Sequence, residues 1–141
     1  MPASGSKRWA RYQTERVKMT AIPVHHGDIP ALAWRIEIAG QSIVITGSFN
    51  NSKNLIATFA KDADALVVSH AIPENSRGVL RDLYARPSQL GRVADQADAR
   101  MMILGHRSVR TRGRESLSRN AIEENYNGTI LFANDGECWG L

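Results

Sequence analysis

The feature that most constrains the fold of this chain is a series of short apolar runs that each end abruptly in polar residues. The runs occupy residues 42–46 (SIVIT), 65–72 (ALVVSHAI) and 101–106 (MMILGH). Continuous apolar runs of this length are typical of strands buried on both faces of a sheet. A further short run at 129–132 predicts a last strand.

Segments with helical periodicity separate these runs. Their inward positions are predicted to be Leu55, Ile56, Phe59 and Ala60; Leu90, Val93, Ala94 and Ala97; and Leu117, Ala121, Ile122 and Tyr126. Ser52 is the expected N-cap of the first helix. Alternation of strands and helices predicts an α/β fold with a mixed β-sheet and helices packed on one face.

The part of the chain before residue 47 is predicted to be β-structure. A first strand at 17–24 is followed by a hairpin in which apolar residues alternate with polar ones over 34–38, and residues 39–41 form its turn. Residues 1–16 are polar and basic, so we expect a flexible N-terminal segment ahead of one domain at 17–141. The length of 141 residues fits a single core.

The predicted helices suffice to cover only one face of the predicted sheet. Ile43, Val44 and Ile45 are apolar in succession, as are Val67 and Val68, which argues against a second face in water. We therefore expect a partner chain or a homodimer on that face.

Composition limits the cellular compartment and the kinds of partner that the chain could have, but it does not indicate a specific function. A formal charge of +4 permits attraction to phosphate-bearing partners. The single cysteine, Cys138, excludes an internal disulfide and favours a reducing cytoplasm. The N-terminal residues contain no apolar run long enough for a signal peptide or a membrane helix, so no membrane association is expected.

Polar side chains of metal-ligand type follow several predicted strands. His25 and His26 follow Val24, Ser48 follows Gly47, and His106 follows Gly105. Because a sheet aims the loops at its strand ends toward one edge, these residues are candidates for a metal site, and imidazole is a good Zn²⁺ ligand. His70 lies in or after a fourth strand.

Four segments, taken in order, resemble the C-terminal half of metallo-β-lactamase-fold hydrolases. They are VHHGDIPALAWRIEIAGQSIVITGS, ADALVVSHAIPEN, PSQLGRVADQADARMMILGHRSVR and NYNGTILFANDGE. The pattern is most similar to the ribonuclease Z and arylsulfatase-like branch, and it extends over about residues 19–137. The resemblance implies half of an αββα sandwich, with the missing half packed on the uncovered sheet face.

The resemblance also implies roles for individual residues. His26 and His106 match metal ligands, and Ser48 occupies the position of the aspartate that bridges two metal ions. Tyr84 falls roughly where ribonuclease Z-like members have a histidine that assists the reaction. The expected cofactor is zinc.

Two departures from the family pattern point to lost chemistry. The sequence contains no His-x-His-x-Asp-His motif, which lies in the N-terminal half of the fold and supplies most of the metal ligands. A neutral serine at position 48 lacks the charge with which a carboxylate holds a pair of divalent cations. We therefore expect zinc to be weakly held or absent in the isolated chain.

A cluster of arginines follows His106. Arg107, Arg110 and Arg112 are candidates for binding phosphate, because the guanidinium fork matches phosphate oxygens, and the cluster extends to Arg119. A solvated loop is the competing interpretation.

Three functions stay open on the sequence. The first is an inactive truncated hydrolase that associates through its exposed sheet. The second is one part of a split zinc-dependent hydrolase of esters or phosphoesters, completed by a partner chain that carries His-x-His-x-Asp-His. The third is an RNA- or phosphate-binding module that uses the arginine cluster.

Overall fold

A computed structural model describes residues 10–141 of the chain. These residues form one seven-stranded sheet whose strands lie side by side in chain order. The strands are β1 (Ala10–Gln13), β2 (Val17–Val24), β3 (Ala31–Ile38), β4 (Gln41–Ile45), β5 (Ala65–Ser69), β6 (Met101–Gly105) and β7 (Thr129–Phe132). The predicted mixed α/β sheet is confirmed.

The mode of strand pairing changes once across the sheet. Strands β1 to β4 pair antiparallel, and β4 to β7 pair parallel. Because β2 and β4 both run antiparallel to β3, the carboxyl ends of β2, β4, β5, β6 and β7 meet at one edge of the sheet. We call this edge the carboxyl edge.

Four helices lie between the later strands. They are α1 (Leu55–Phe59), α2 (Val79–Leu83), α3 (Pro87–Gln96) and α4 (Glu115–Glu123). The main core lies between these helices and one sheet face, where Leu66 and Met102 of the sheet belong to the same buried cluster as Leu90 and Ile122 of the helices. Burial of such side chains stabilises each by about 1.5–3 kcal/mol.

The start of α3 is fixed by both its sequence and a distant carboxylate. Pro87 occupies the first turn, where its missing N–H leaves no hydrogen bond unmade. The Glu74 carboxylate accepts hydrogen bonds from the Ser88 backbone N–H at 2.8 Å and from the Ser88 hydroxyl at 2.7 Å. The carboxylate thereby satisfies a free N–H at the helix start and complements the helix dipole.

Three local expectations are wrong. Part of the segment predicted to be flexible is a strand, because Ala10–Gln13 pair with β2 as β1. Residues 1–9 lie outside the described residues, and the domain boundary at residue 17 stays a prediction. Ser52 is not the N-cap of α1, since left-handed backbone at Asn51 and Asn54 delays the helix to Leu55. On α4, Leu117 was predicted to face the core, but it is 65% exposed.

The outward position of Leu117 on α4 has a clear physical cause. Ser118, Ala121 and Ile122, at the i, i+3, i+4 spacing of one helix face, are the buried residues of α4. The hydroxyl of Ser118 hydrogen-bonds the buried ring of His70, so a polar residue takes an inward position that an apolar pattern does not predict.

None of the described helices packs on the opposite face of the sheet, here called the open face. The strand register places on it the apolar residues Tyr12, Val17, Met19, Trp34, Ile36, Ile38, Ile43, Ile45, Ala65, Val67, Met101, Ile103 and Leu131, and the uncharged polar residues Gln41, Ser69 and Thr129. Over the described strands this face has no Lys, Arg, Asp, Glu or His. Large apolar side chains such as Ile38 and Ile45 remain more than 40% exposed there, at 43% and 42%.

Candidate functional site

The topology brings the predicted ligand residues to the same edge. His26 follows β2, Ser48 follows β4 and His106 follows β6, and these three strands end at the carboxyl edge. A backbone hydrogen bond of 2.8 Å from Asn50 N–H to the His25 carbonyl ties the first two loops together. The strand-end argument from the sequence thus finds the edge on which these residues lie.

The ring of His26 is buried and oriented by its neighbours. Its Nδ1 lies 2.5 Å from the carbonyl oxygen of Leu83, and the ring of Tyr84 packs edge-on with centroids 5.0 Å apart. A carbonyl oxygen can only accept, so Nδ1 carries the proton and Nε2 of the neutral ring presents a lone pair. Tyr84 therefore contacts a predicted ligand, although its predicted catalytic role is untested.

Ser48 faces a second hydroxyl that sequence reasoning missed. Its Oγ lies 3.5 Å from Oγ of Ser69 at the end of β5, and the Ser69 hydroxyl donates a 3.2 Å hydrogen bond to the Gly47 carbonyl. A polar residue at the end of a buried strand was the available signal for Ser69.

The loop before Ser48 requires glycine. Gly47 has φ +60°, and a Cβ there would lie 2.6 Å from the carbonyl oxygen of Leu32 on β3. No residue with a side chain fits this approach without movement of the backbone. Gly47 thus fixes the position at which β4 delivers Ser48.

Ser48, Ser69 and His106 line one shallow depression of about 250 Å³. His106 is exposed and adopts φ +48°, a conformation that is uncommon for a residue with a side chain. The lining also includes Ile45 and Val67 of the open face, so the depression lies where the carboxyl edge meets that face. His26 is not among the residues that line it.

The residues present do not fit a dinuclear zinc site. Across residues 10–141, no group of three or more His, Cys, Asp and Glu side chains is arranged to hold a metal ion. Ser48, which the sequence predicts at the bridging position, and its neighbour Ser69 supply two neutral hydroxyls and no negative charge. A pair of divalent cations needs carboxylate, imidazole or thiolate ligands to offset its charge.

His70 is a structural residue of the core. It is 1% exposed, its Nε2 lies 2.7 Å from the Ser118 hydroxyl, and its ring packs against Phe132 with centroids 5.4 Å apart. Burial lowers the pKa of His70 to about 4, with nearby Arg107 also lowering it and Glu115 opposing the shift. The ring is therefore neutral at pH 7.

The predicted phosphate-binding arginines are in different environments. Arg107 is held by the Glu115 carboxylate, with Nη1 3.0 Å from Oε1, and by the side chain of Asn134. Arg110 and Arg112 are exposed. One of the three guanidinium groups is thus already paired, and phosphate binding by the cluster stays a prediction.

Two further observations concern the setting of the chain. Cys138 is a free, exposed thiol. Among the described helices, none is long and apolar enough to cross a membrane.

Comparison with known proteins identifies the fold. No family model matches the sequence, and no curated protein matches it. The metallo-β-lactamase fold protein YhfI from Bacillus subtilis matches with a TM-score of 0.75 at 19% identity, over 92% of this chain and 52% of that chain. The short form of human tRNase Z matches with a TM-score of 0.70 at 16% identity, over 92% and 44%.

A zinc-containing structure is among the matches. Zn²⁺-bound PqqB from Methylobacterium extorquens matches with a TM-score of 0.62 at 15% identity, over 94% of this chain and 53% of that chain. The chain therefore has the metallo-β-lactamase fold over about half the length of the structures that it matches. This coverage is consistent with the C-terminal half that the sequence motifs indicated.

Proposed function

We propose that this chain is a non-hydrolytic half of the metallo-β-lactamase fold that acts by association of its open face with a second protein chain. The single observation that supports this most is the composition of the open face. Its apolar side chains extend over the width of the sheet, and no charged strand residue interrupts them.

The alternation in β3 shows why this face is unusual. Trp34, Ile36 and Ile38 point to the open face, whereas Arg35 and Glu37 point to the helix-bearing face. Arg35 is stabilised there, because its guanidinium donates to the carbonyl oxygens at the end of α1, at 3.2 Å to Phe59. The apolar half of the pattern is thus left facing outward, as expected of a surface that another chain covers.

Ser48 supports the non-hydrolytic part of the proposal. A chain that packs on the open face can contribute ligands of its own, but it cannot change the residue at position 48 of this chain. With Ser48 and Ser69 where a bridging carboxylate would be required, a completed sandwich still lacks the charge that holds two metal ions together.

The test is the oligomeric state of the purified chain and of matched charge variants. We expect a dimer or larger species by sedimentation, and we expect Ile45→Lys to weaken association because it places a charge on the open face. Leu117→Lys is the control, since Leu117 is 65% exposed on α4 away from that face. A clean monomer at all concentrations contradicts self-association. Equal effects of the two variants contradict the assignment of the surface.

A second candidate is a split zinc-dependent hydrolase, and the orientation of His26 favours it. The hydrogen bond from Nδ1 to the Leu83 carbonyl leaves Nε2 unprotonated, the arrangement in which outer-shell partners hold metal-binding histidines. In this candidate, a separate chain with His-x-His-x-Asp-His packs on the open face, and His26 and His106 complete a weakened zinc site.

Zinc content separates the two candidates. The chain is mixed with a chain that carries His-x-His-x-Asp-His, and bound zinc is measured by elemental analysis. Stoichiometric zinc that is lost in His26→Ala and His106→Ala, but kept in the control His25→Ala, supports the split hydrolase. Zinc that is absent, or indifferent to all three substitutions, supports the non-hydrolytic proposal.

A further inference from the structure

The last residues of the chain turn back over the open face. Strand β7 ends at the carboxyl edge, and residues 134–137 then form a turn closed by a 3.3 Å hydrogen bond from Glu137 N–H to the Asn134 carbonyl. The Glu137 carboxylate accepts a 2.7 Å hydrogen bond from the Asn134 side chain. Gly136 supplies the positive φ of +81° that the turn needs.

The end of this segment is anchored at the opposite end of the strands. Leu141 packs against the buried cluster formed by Ala65, Met101 and Ile103, of which Ala65 and Met101 are the first residues of β5 and β6. Its carbonyl oxygen accepts a 2.9 Å hydrogen bond from Nε2 of Gln41, the first residue of β4. Residues 134–141 therefore run from the carboxyl edge to the amino ends of β4, β5 and β6.

The residues after the turn are long enough to cross the face. The turn spans less than about 7 Å and the four residues that follow it reach at most roughly 13–14 Å, together more than the ~17 Å length of a five-residue strand. The two halves of the open face differ in burial: Met101 and Ile103 are 8% and 7% exposed, whereas Ile45 and Ile38 are 42% and 43% exposed. Leu141 is among the residues that pack on the cluster containing Met101 and Ile103, together with Ile43, Val67 and Leu131.

We propose that residues 134–141, here called the strap, are an intramolecular cover for the β5–β6 part of the open face, and that association displaces them. This inference rests on the proposed function, since the displacing surface is the partner that packs there. The contacts of the strap with the face include the Leu141 side chain and the hydrogen bond from Gln41, and Asn134 at its start is hydrogen-bonded to Arg107. A larger apolar surface can replace the Leu141 contact. The exposed β2–β4 part of the face is then the place where the partner first makes contact.

The strap carries its own reporter. Cys138 is the single cysteine of the sequence and is exposed, so a nitroxide attached to it reports the position of the strap without mutation. We expect the nitroxide to broaden the amide signals of Ala65 and Met101 in the dilute monomer, and we expect those signals to recover as the protein concentration rises. The chemically reduced label is the control.

A pair of variants tests the competition. Leu141→Asp removes the anchor, whereas Cys138→Asp adds the same charge at an exposed position of the strap. By sedimentation, we expect the dissociation constant for self-association of Leu141→Asp to be about five-fold lower than that of the wild-type chain, because one weak contact no longer has to be displaced. We expect the dissociation constant of Cys138→Asp to equal that of the wild-type chain.

The outcomes separate the strap from the proposed function. If the wild-type chain associates and Leu141→Asp associates no more tightly, the strap inference is overturned and the proposed function stands. Broadening that is absent in the monomer, or unchanged in the associated state, also overturns the strap alone. If neither the wild-type chain nor Leu141→Asp associates at any concentration, both inferences fail.

Discussion

The hydroxyl oxygens of Ser48 and Ser69 lie 3.5 Å apart, at the ends of two adjacent parallel strands. Ser69 donates to the Gly47 carbonyl, so this pair also closes the loop that follows β4. Two neutral groups thus meet at the corner where the carboxyl edge joins the open face. Among the described residues, no group of three or more His, Cys, Asp and Glu side chains is arranged to hold a metal ion, at this corner or elsewhere.

Restoring a carboxylate at this corner should restore part of the metal affinity. We expect Ser48→Asp to bind zinc at least about tenfold more tightly than the wild-type chain, because the new charge lies beside His106 in the same depression. Chelator competition measures the change. Ser52→Asp, which adds the same charge at an exposed loop position, should leave zinc affinity unaltered. Equal effects of the two variants would show that the depression is not the site.

The hydrogen bond between His26 and Leu83 fixes a tautomer. We expect ¹⁵N NMR of the neutral imidazole to show a protonated Nδ1 and an unprotonated Nε2, since the carbonyl at 2.5 Å can only accept. The exposed ring of His106 is the internal comparison, and we expect no single fixed tautomer there. A protonated Nε2 at His26 contradicts the proposed orientation of its lone pair.

Burial of His70 makes stability depend on pH. Its pKa is about 4 in the folded chain and near 6.5 when unfolded, so the unfolded state binds the extra proton between these values. The stability that the folded chain gains by keeping His70 neutral is fully present above pH 6.5 and is lost as the pH falls toward 4. From His70 alone, the free energy of unfolding should fall by about 2 kcal/mol between pH 7 and pH 5.

Urea unfolding at the two pH values measures this effect. His70→Gln removes the titrating group and keeps an amide that can hydrogen-bond the Ser118 hydroxyl, so its stability should change less over the same interval. An identical pH dependence in both chains would show that other groups control it.

Helices α3 and α4 approach each other closely at one glycine. A Cβ on Gly91 would lie 2.6 Å from the carbonyl oxygen of Ile122. We expect Gly91→Ala to lower the free energy of unfolding by up to about 2 kcal/mol, because the cost of overpacking, about 1–3 kcal/mol, exceeds the helix preference of alanine, about 1 kcal/mol. Gly105→Ala is the control, since no neighbour lies within 4 Å of its Cβ. Denaturant unfolding distinguishes them, and a stable Gly91→Ala chain would contradict the close packing.

Much of the fold follows from local pattern. The hairpin forms where the sequence predicts it, with Ala39 and Gly40 at φ +51° and +78° between β3 and β4. The inward prediction for Ala121, Ile122 and Tyr126 is confirmed, whereas that for Leu117 was wrong. An apolar pattern cannot anticipate that Ser118 turns inward to meet a buried histidine. At the candidate site, the strand ends were predictable, but the partners of Ser48 and His26 were not, since both come from distant segments.

By itself the sequence determined most of the strands and helices and most of the side chains that share a face. Those properties depend on the two- and 3.6-residue periods of the backbone, which are local. The tertiary structure alone decided what covers each face and which groups meet. It paired Gln41 with Leu141 across 100 residues and left Ile36 and Ile38 on the open face. Such contacts depend on how the whole sheet packs, and no local period encodes them.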